Sequence, residues 1–281
     1  MRTVKISDSF LPSSVRKRVT PRTLVGIGVL WLTLCFIVPI VFLLYESLNF
    51  GEGHLLANYE QALAWTYINV LGRTFVYALV TTILTLILGY LTAYYIAFKS
   101  SRPMVLLALV LLPLWVAIII RFFGVRLFFL QSGPVQQLFG TDFGILFSRN
   151  GVVLGLISAL LPFAVLPMYN SLRAIDDDLI NASRTLGAGQ FQTLRSVILP
   201  LSFSGIVAAT LFVFILAAGS YLAPSIMGGP ANNMMANIIA DTQSYSIPLA
   251  SAMAVVFTGL LLILVGLFNH FANVSEVLGD L

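Results

Sequence analysis

Six continuous apolar runs, near residues 23–45, 74–98, 104–121, 151–170, 201–223 and 249–269, leave this sequence few folds to choose from. Each is close to the length of about twenty residues that a helix needs to cross about 30 Å of hydrocarbon. In lipid a backbone must satisfy its own hydrogen bonds, so only helices and closed barrels can span. A barrel would show alternating segments of about ten residues, and these runs do not alternate. The expected fold class is therefore all-α, a polytopic membrane protein with six transmembrane helices. Composition agrees: 59% of residues are hydrophobic, 9% are charged and the mean hydropathy is +0.97, values foreign to a globule with a solvated surface. The first run is too long for a signal-peptide core and lacks a small-residue cleavage site, so it is expected to stay as an anchor.

Orientation follows from the Lys and Arg residues in the connections. The 1–22 tail, the 99–103 turn and the 171–200 segment hold eleven of them, against four (Arg73, Arg121, Arg126 and Arg149) on the other side. The first side is expected to be cytoplasmic, with both termini, including a 271–281 tail. A single membrane domain over 23–270 accounts for the rest of the chain. The net charge of +4 could suggest nucleic acid, but the basic residues are shared among segment ends and form no patch, so no nucleic-acid partner is expected. The lipid bilayer is the partner that composition demands. Pro39, Pro113, Pro162 and Pro167 fall inside spans, where they predict kinks. Gly205, Ala208, Ala209, Ala217, Ala218 and Gly219 in the fifth span predict close helix packing.

Catalytic chemistry is missing. His54 and His270 have no Cys partner and no carboxylate cluster, so no metal site is expected. Asp176, Asp177 and Asp178 read either as an acid or metal cluster or as the cap of a helix. No acidic residue lies within a span, which argues against ion-coupled transport. Only Lys5, Lys17 and Lys99 are lysines, and none sits in a Gly-Lys-Ser/Thr phosphate loop. No cofactor is expected on this chain, and energy for any active transport must enter from another one.

Against this apolar background the polar, basic-flanked segment 172–200 stands out, above all Asn181–Pro200, NASRTLGAGQFQTLRSVILP. Gly187 and Gly189 divide it into two pieces with apolar residues at helical spacing: Leu179, Ala182 and Leu186, then Phe191, Leu194 and Ile198. The pattern predicts a helix–turn–helix elbow. Its sequence resembles the cytoplasmic coupling loop of binding-protein-dependent ABC importer permeases: Glu-Ala-Ala, three residues, Gly, nine residues, then Ile-x-Leu-Pro. Asn181, Ala182 and Ser183 fill the triplet, Gly187 the Gly, and Val197, Leu199 and Pro200 the close. Asn181 replaces Glu and Ser183 replaces Ala. The segments LLPLWVAIIIRFFGVRLFF, LLPFAVLPMYNSL and YLAPSIMGG, the last followed by NIIADTQ, are similar to the spermidine/putrescine-type branch, over roughly residues 70–270.

The resemblance implies a type I importer permease of the bacterial inner membrane. Its partners would be a second permease subunit, similar or identical, two ATPase subunits that bind ATP and Mg, and an extracytoplasmic solute-binding protein. It also implies that Asn181, Ala182, Ser183, Arg184, Leu186, Gly187, Ala188, Gly189, Phe191, Leu194, Leu199 and Pro200 form the ATPase-coupling site. Solutes other than polyamines (opines, phosphonates, thiamine, ferric iron) remain open, as does a membrane scaffold without a transport path. For a path, the candidates are Trp115, Arg121, Tyr169, Asn170, Ser220 and Tyr221, polar or aromatic groups that a lipid-facing surface does not require; Trp115 and Tyr221 read equally as interfacial aromatics. Gly228, Gly229, Pro230 and Asp241, with the 122–150 loop, are expected to contact the binding protein, and Asp142 or Asp241 to attract a cationic solute.

Overall fold

The computed structural model describes residues 21–48, 56–141 and 143–272. The tail up to residue 20, His54, Asp142 and the C-terminal tail from residue 273 lie outside the described residues, as does the His270 side chain. Every regular element among the described residues is helical. In order these are α1 (Pro21–Ser47), α2 (Ala57–Ala62), α3 (Trp65–Phe98), α4 (Pro103–Leu111), α5 (Ile118–Phe128), α6 (Pro134–Phe139) and α7 (Arg149–Arg173). The elbow contributes α8 (Asp177–Thr185), α9 (Gln190–Thr193) and α10 (Leu199–Leu201), and the chain closes with α11 (Phe203–Ala218), α12 (Met235–Gln243) and α13 (Ile247–Ala272). Four helices are long and apolar enough to cross a bilayer singly, within α1, α3, α7 and α13, and two bent pairs bring the number to six.

The centre is a three-helix core of α3, α7 and α11. Lipid offers no hydrophobic drive for helices to associate, so van der Waals fit must hold them, and the contact faces are made of small residues. A β-carbon on Gly89 of α3 would come within 2.9 Å of Ala164 Cβ on α7. Gly205 of α11 leaves no room for a side chain beside Ser171 and the Pro167 carbonyl. Ala208, Ala209, Ala217 and Ala218 are buried as their spacing predicts, whereas Gly219 is exposed beyond the helix end. Thr74 and Thr82 of α3 are buried and return their hydroxyl protons to the carbonyls four residues back, at 2.8 and 2.7 Å, which satisfies them inside the core. Helix α13 packs mainly against α1, α2 and α12 and meets this core through α11 and through the Phe257 ring, 6.1 Å from that of Phe75 on α3.

Three span boundaries depart from the sequence expectation. The third run is not one helix: after the 3-10 turn Leu112–Trp115, which contains Pro113, Val116 is extended (φ −93°, ψ 131°) and the chain bends by 98° into α5. The second helix starts at Trp65, nine residues early, because the non-helical cap is Ala64 (φ −57°, ψ 147°). The fifth is entered through a 66° bend at Ser202 and ends at Ala218, with the segment to residue 223 outside it. Of the four prolines, Pro39, Pro162 and Pro167 lie within uninterrupted helices, so only Pro113 accompanies a break.

Candidate functional site

The elbow forms where its spacing predicts. Asp176 is the N-cap of α8, its carboxylate accepting from the Asp178 N–H at 3.0 Å, and Asp177 and Asp178 fill the first turn, at the positive end of the helix dipole. The acidic run is therefore a cap, and among the described residues no group of His, Cys, Asp and Glu is arranged to hold a metal ion. At the other end Gly187 N donates to Arg184 O at 2.9 Å and Ala188 N to Ser183 O at 3.1 Å, the two bonds of a Schellman motif. Gly187 has φ +86°, and a β-carbon there would meet nothing within 4 Å, so the position requires a backbone conformation and not a small volume.

Ser183 explains its own departure from the pattern. Its hydroxyl donates to Ile180 O at 2.8 Å and lies 3.0 Å from Thr193 Oγ1, so Thr193 donates to it and the two arms are tied. Ile180, Thr193 and Ile198 are buried and seat the elbow on the bundle. Leu186 and Phe191 project instead, 88% and 75% exposed. Asn181, Ala182, Arg184, Gly189, Leu199 and Pro200 are exposed too, and Ala188 is half-buried. Leu194, expected in the coupling loop, is half-buried and packs on the core, and it opens the turn that closes at buried Ile198. The turn Leu194–Ile198 is π-helical, with Leu199 N donating to Leu194 O, and it leads into Pro200, which has no N–H to contribute.

The opposite end of α3 and α7 meets a loop that the sequence did not mark as tightly held. Arg73 donates to the carbonyls of Ala231, at 2.6 Å, and Asn233, at 2.5 Å, 158 and 160 residues away in the chain. Tyr77 donates to Asn232 Oδ1 at 2.9 Å, and Asn232 donates in turn to Gly228 O at 2.7 Å and Phe147 O at 3.3 Å. Thr74 Oγ1 accepts from Met235 N at 2.8 Å. Asn237, buried, accepts from Met234 N and donates to Tyr221 O and Ser225 Oγ. Arg73 is thus a clamp as well as a count in the charge balance. The signals for this network were an Arg directly before an apolar face and an Asn within the apolar stretch NIIADTQ.

This network corrects one expected contact. Gly228 is buried, and a β-carbon there would lie 2.7 Å from Val152 Cγ2, so it has no surface to offer a binding protein. Gly229 is half-buried with φ +68°, while Pro230 and Asp241 are exposed.

Of the path candidates, Arg121, Ser220 and Tyr221 line one cavity of about 330 Å³ between α5, α7 and the end of α11, with Phe122, Leu156 and Phe163 among its apolar walls. Arg121 Nη1 donates to Ala159 O at 3.1 Å, while its buried Nε has no partner. Pro162 has no N–H for the Ser158 carbonyl four residues back, and the guanidinium bonds the neighbouring carbonyl, that of Ala159. Trp115 is 91% exposed at the α4–α5 break and is not part of the cavity. Tyr169 is buried and Asn170 exposed, about 9–10 Å further along α7 than Phe163 at 1.5 Å per residue, and neither lines the cavity.

Residues 85–273 match the family model described as the binding-protein-dependent transport system inner membrane component. The spermidine/putrescine transport system permease protein PotB of Escherichia coli is 34% identical over 228 residues, covering 77% of this chain and 82% of that protein. PotB of Haemophilus influenzae is 30% identical over 253 residues, covering 84% and 88%. Among solved structures, a bacterial ABC transporter involved in the import of the acidic polysaccharide alginate shares the fold with a TM-score of 0.79 at 14% identity, over 92% of this chain and 97% of that one.

Proposed function

This chain belongs to the family of binding-protein-dependent transport system inner membrane components, and from that premise we propose that it is the permease subunit of an ATP-driven importer whose solute is a polyamine of the spermidine/putrescine kind. The observation that carries the coupling role is the elbow: a closed turn on buried anchors, with Leu186 and Phe191 held out from it. Projecting apolar side chains on a short rigid helix suit a groove in another protein. That protein is an ATPase subunit, one of two, and it holds the ATP and Mg that this chain has no phosphate loop to bind. Closure of the ATPases moves the elbow, and through Ile180 and Ile198 the movement passes to the core helices.

The elbow and both termini face the cytoplasm in this reading, which the charge balance of the connections supports. Across the membrane, exposed Pro230 and Asp241 and the 122–150 loop receive the solute-binding protein. The Arg121–Ser220–Tyr221 cavity forms part of the path, next to a second permease subunit. There the Tyr221 ring offers an ammonium group its π face. The positive Arg121 is held back by Ala159 O, and the carboxylates a polycation prefers come from the second subunit or from Asp241.

Uptake of labelled spermidine and putrescine tests this, in cells lacking other polyamine importers and supplied with this chain and its three kinds of partner. ATP-dependent uptake that disappears when this chain alone is omitted is the expected result. Uptake of thiamine, ferric iron, a phosphonate or an opine in place of polyamines would overturn the solute. An assembled complex that moves none of them would overturn the importer.

A further inference from the structure

Behind the elbow, where the last turns of α3 pass its two arms, lies a cavity of about 310 Å³. Lys99, the C-cap of α3, lines it together with Asp177, Asn181 and Arg184 of α8 and Gln190 of α9. Two cations face one carboxylate. That carboxylate, Asp177, stands in the first turn of α8, where the helix dipole already favours it. Asn181 and Gln190 add amide N–H donors. Cationic and neutral donors converging on a small space are the chemistry of an oxyanion receptor. The coupling-loop pattern has Glu at the position of Asn181, an anion that asks for a cation across the interface. Asn removes that anion here, and Lys99 and Arg184 leave the cavity with the opposite sign.

Building on the coupling-loop reading, we infer that this cavity receives an acidic side chain, Asp or Glu, of the ATPase subunit that grips the elbow. Charge complementarity selects the group. The occupant is a protein because Leu186 and Phe191 project from the same elbow, and Arg184 and Gln190, which line the cavity, are themselves exposed on it, Gln190 directly before Phe191. The carboxylate would bridge α3 to α8 and make the cavity a second point of grip, beside the apolar tip.

The test uses the assembled transporter in vesicles. A carbodiimide joins lysine amines to carboxylates in direct contact, and Lys99 is the only lysine beyond Lys5 and Lys17 in the N-terminal tail. A permease–ATPase cross-link is expected that K99R, which keeps the charge, abolishes. When ATPase subunits are added back to stripped vesicles, K99E/R184E is expected to raise the concentration for half-maximal ATP hydrolysis by about tenfold, more at low salt, while K99R/R184K stays within about twofold. Peptide mapping that finds no cross-link through Lys99, or a reversal that leaves the half-maximal concentration unchanged, overturns the inference. A reversal whose effect follows the phosphatidylglycerol content of the vesicles overturns it in favour of a lipid headgroup. Leu186→Asp separates the two readings: if it fails to release the ATPase, the coupling-loop reading falls; if it releases the ATPase and the charge reversal does not, only the acidic side chain falls.

Discussion

The two ends of the α3–α7–α11 core are built on opposite principles. At the elbow the hydrogen bonds are local, between residues two to ten apart, and the largest apolar side chains point away from the bundle. At the Gly228–Asn237 loop the bonds that tie it to α3 join residues more than 150 apart, and the side chains that make them turn inward. The glycines show the same contrast. Gly187 needs its positive φ in open space, whereas Gly228 needs the absence of a β-carbon in a crowded one. One end is a stiff handle that another protein can hold, and the other is a rivet that keeps the helices together.

If that contrast is right, damage to the rivet lowers stability and damage to the handle lowers coupling. Arg73→Leu removes two charge-assisted hydrogen bonds, and thermal unfolding in detergent should register a loss of about 3 kcal/mol. Gly228→Ala pushes a methyl against Val152 and should lower stability by about 1–3 kcal/mol in the same assay. Gly187→Val forces a β-branched residue into the left-handed region at about 1–2 kcal/mol, a factor of about 5–30 in the ratio of intact to open turn. Solute-stimulated ATP hydrolysis should fall, by at most that factor, while membrane insertion and the bundle persist. Gly189→Ala is the control: its φ of −69° is ordinary and a β-carbon meets nothing within 4 Å, so stability and stimulation should stay within about 0.5 kcal/mol of the parent. A Gly187 variant that unfolds the bundle, or an Arg73 variant that only uncouples it, would erase the distinction.

The handle was legible in the sequence because its determinants are local. The spacing of apolar residues, the position of Gly187 and the Asp run before α8 all act within one or two helical turns. Ser183 looked like a mere departure, since its partner Thr193 lies across the turn. The rivet was not legible, because nothing near Arg73 announces carbonyls at 231 and 233. Arg residues in connections carry the topology signal whatever else they do, and so the count hid the clamp. The α4–α5 bend escaped for a related reason: the run from Met104 to Arg121 is apolar on both sides of Val116, and hydropathy does not register a change of direction. Helix α7 taught the converse, with Pro162 and Pro167 both inside one continuous helix.

The claim that the elbow is gripped is tested most directly by placing Asp at both Leu186 and Phe191 and purifying the transporter. Both side chains are exposed, so the permease should keep the thermal stability of the parent, while the ATPase subunits no longer co-purify and solute-stimulated ATP hydrolysis is lost. A complex that keeps its ATPases and full stimulation with two charges on the tip would contradict the account.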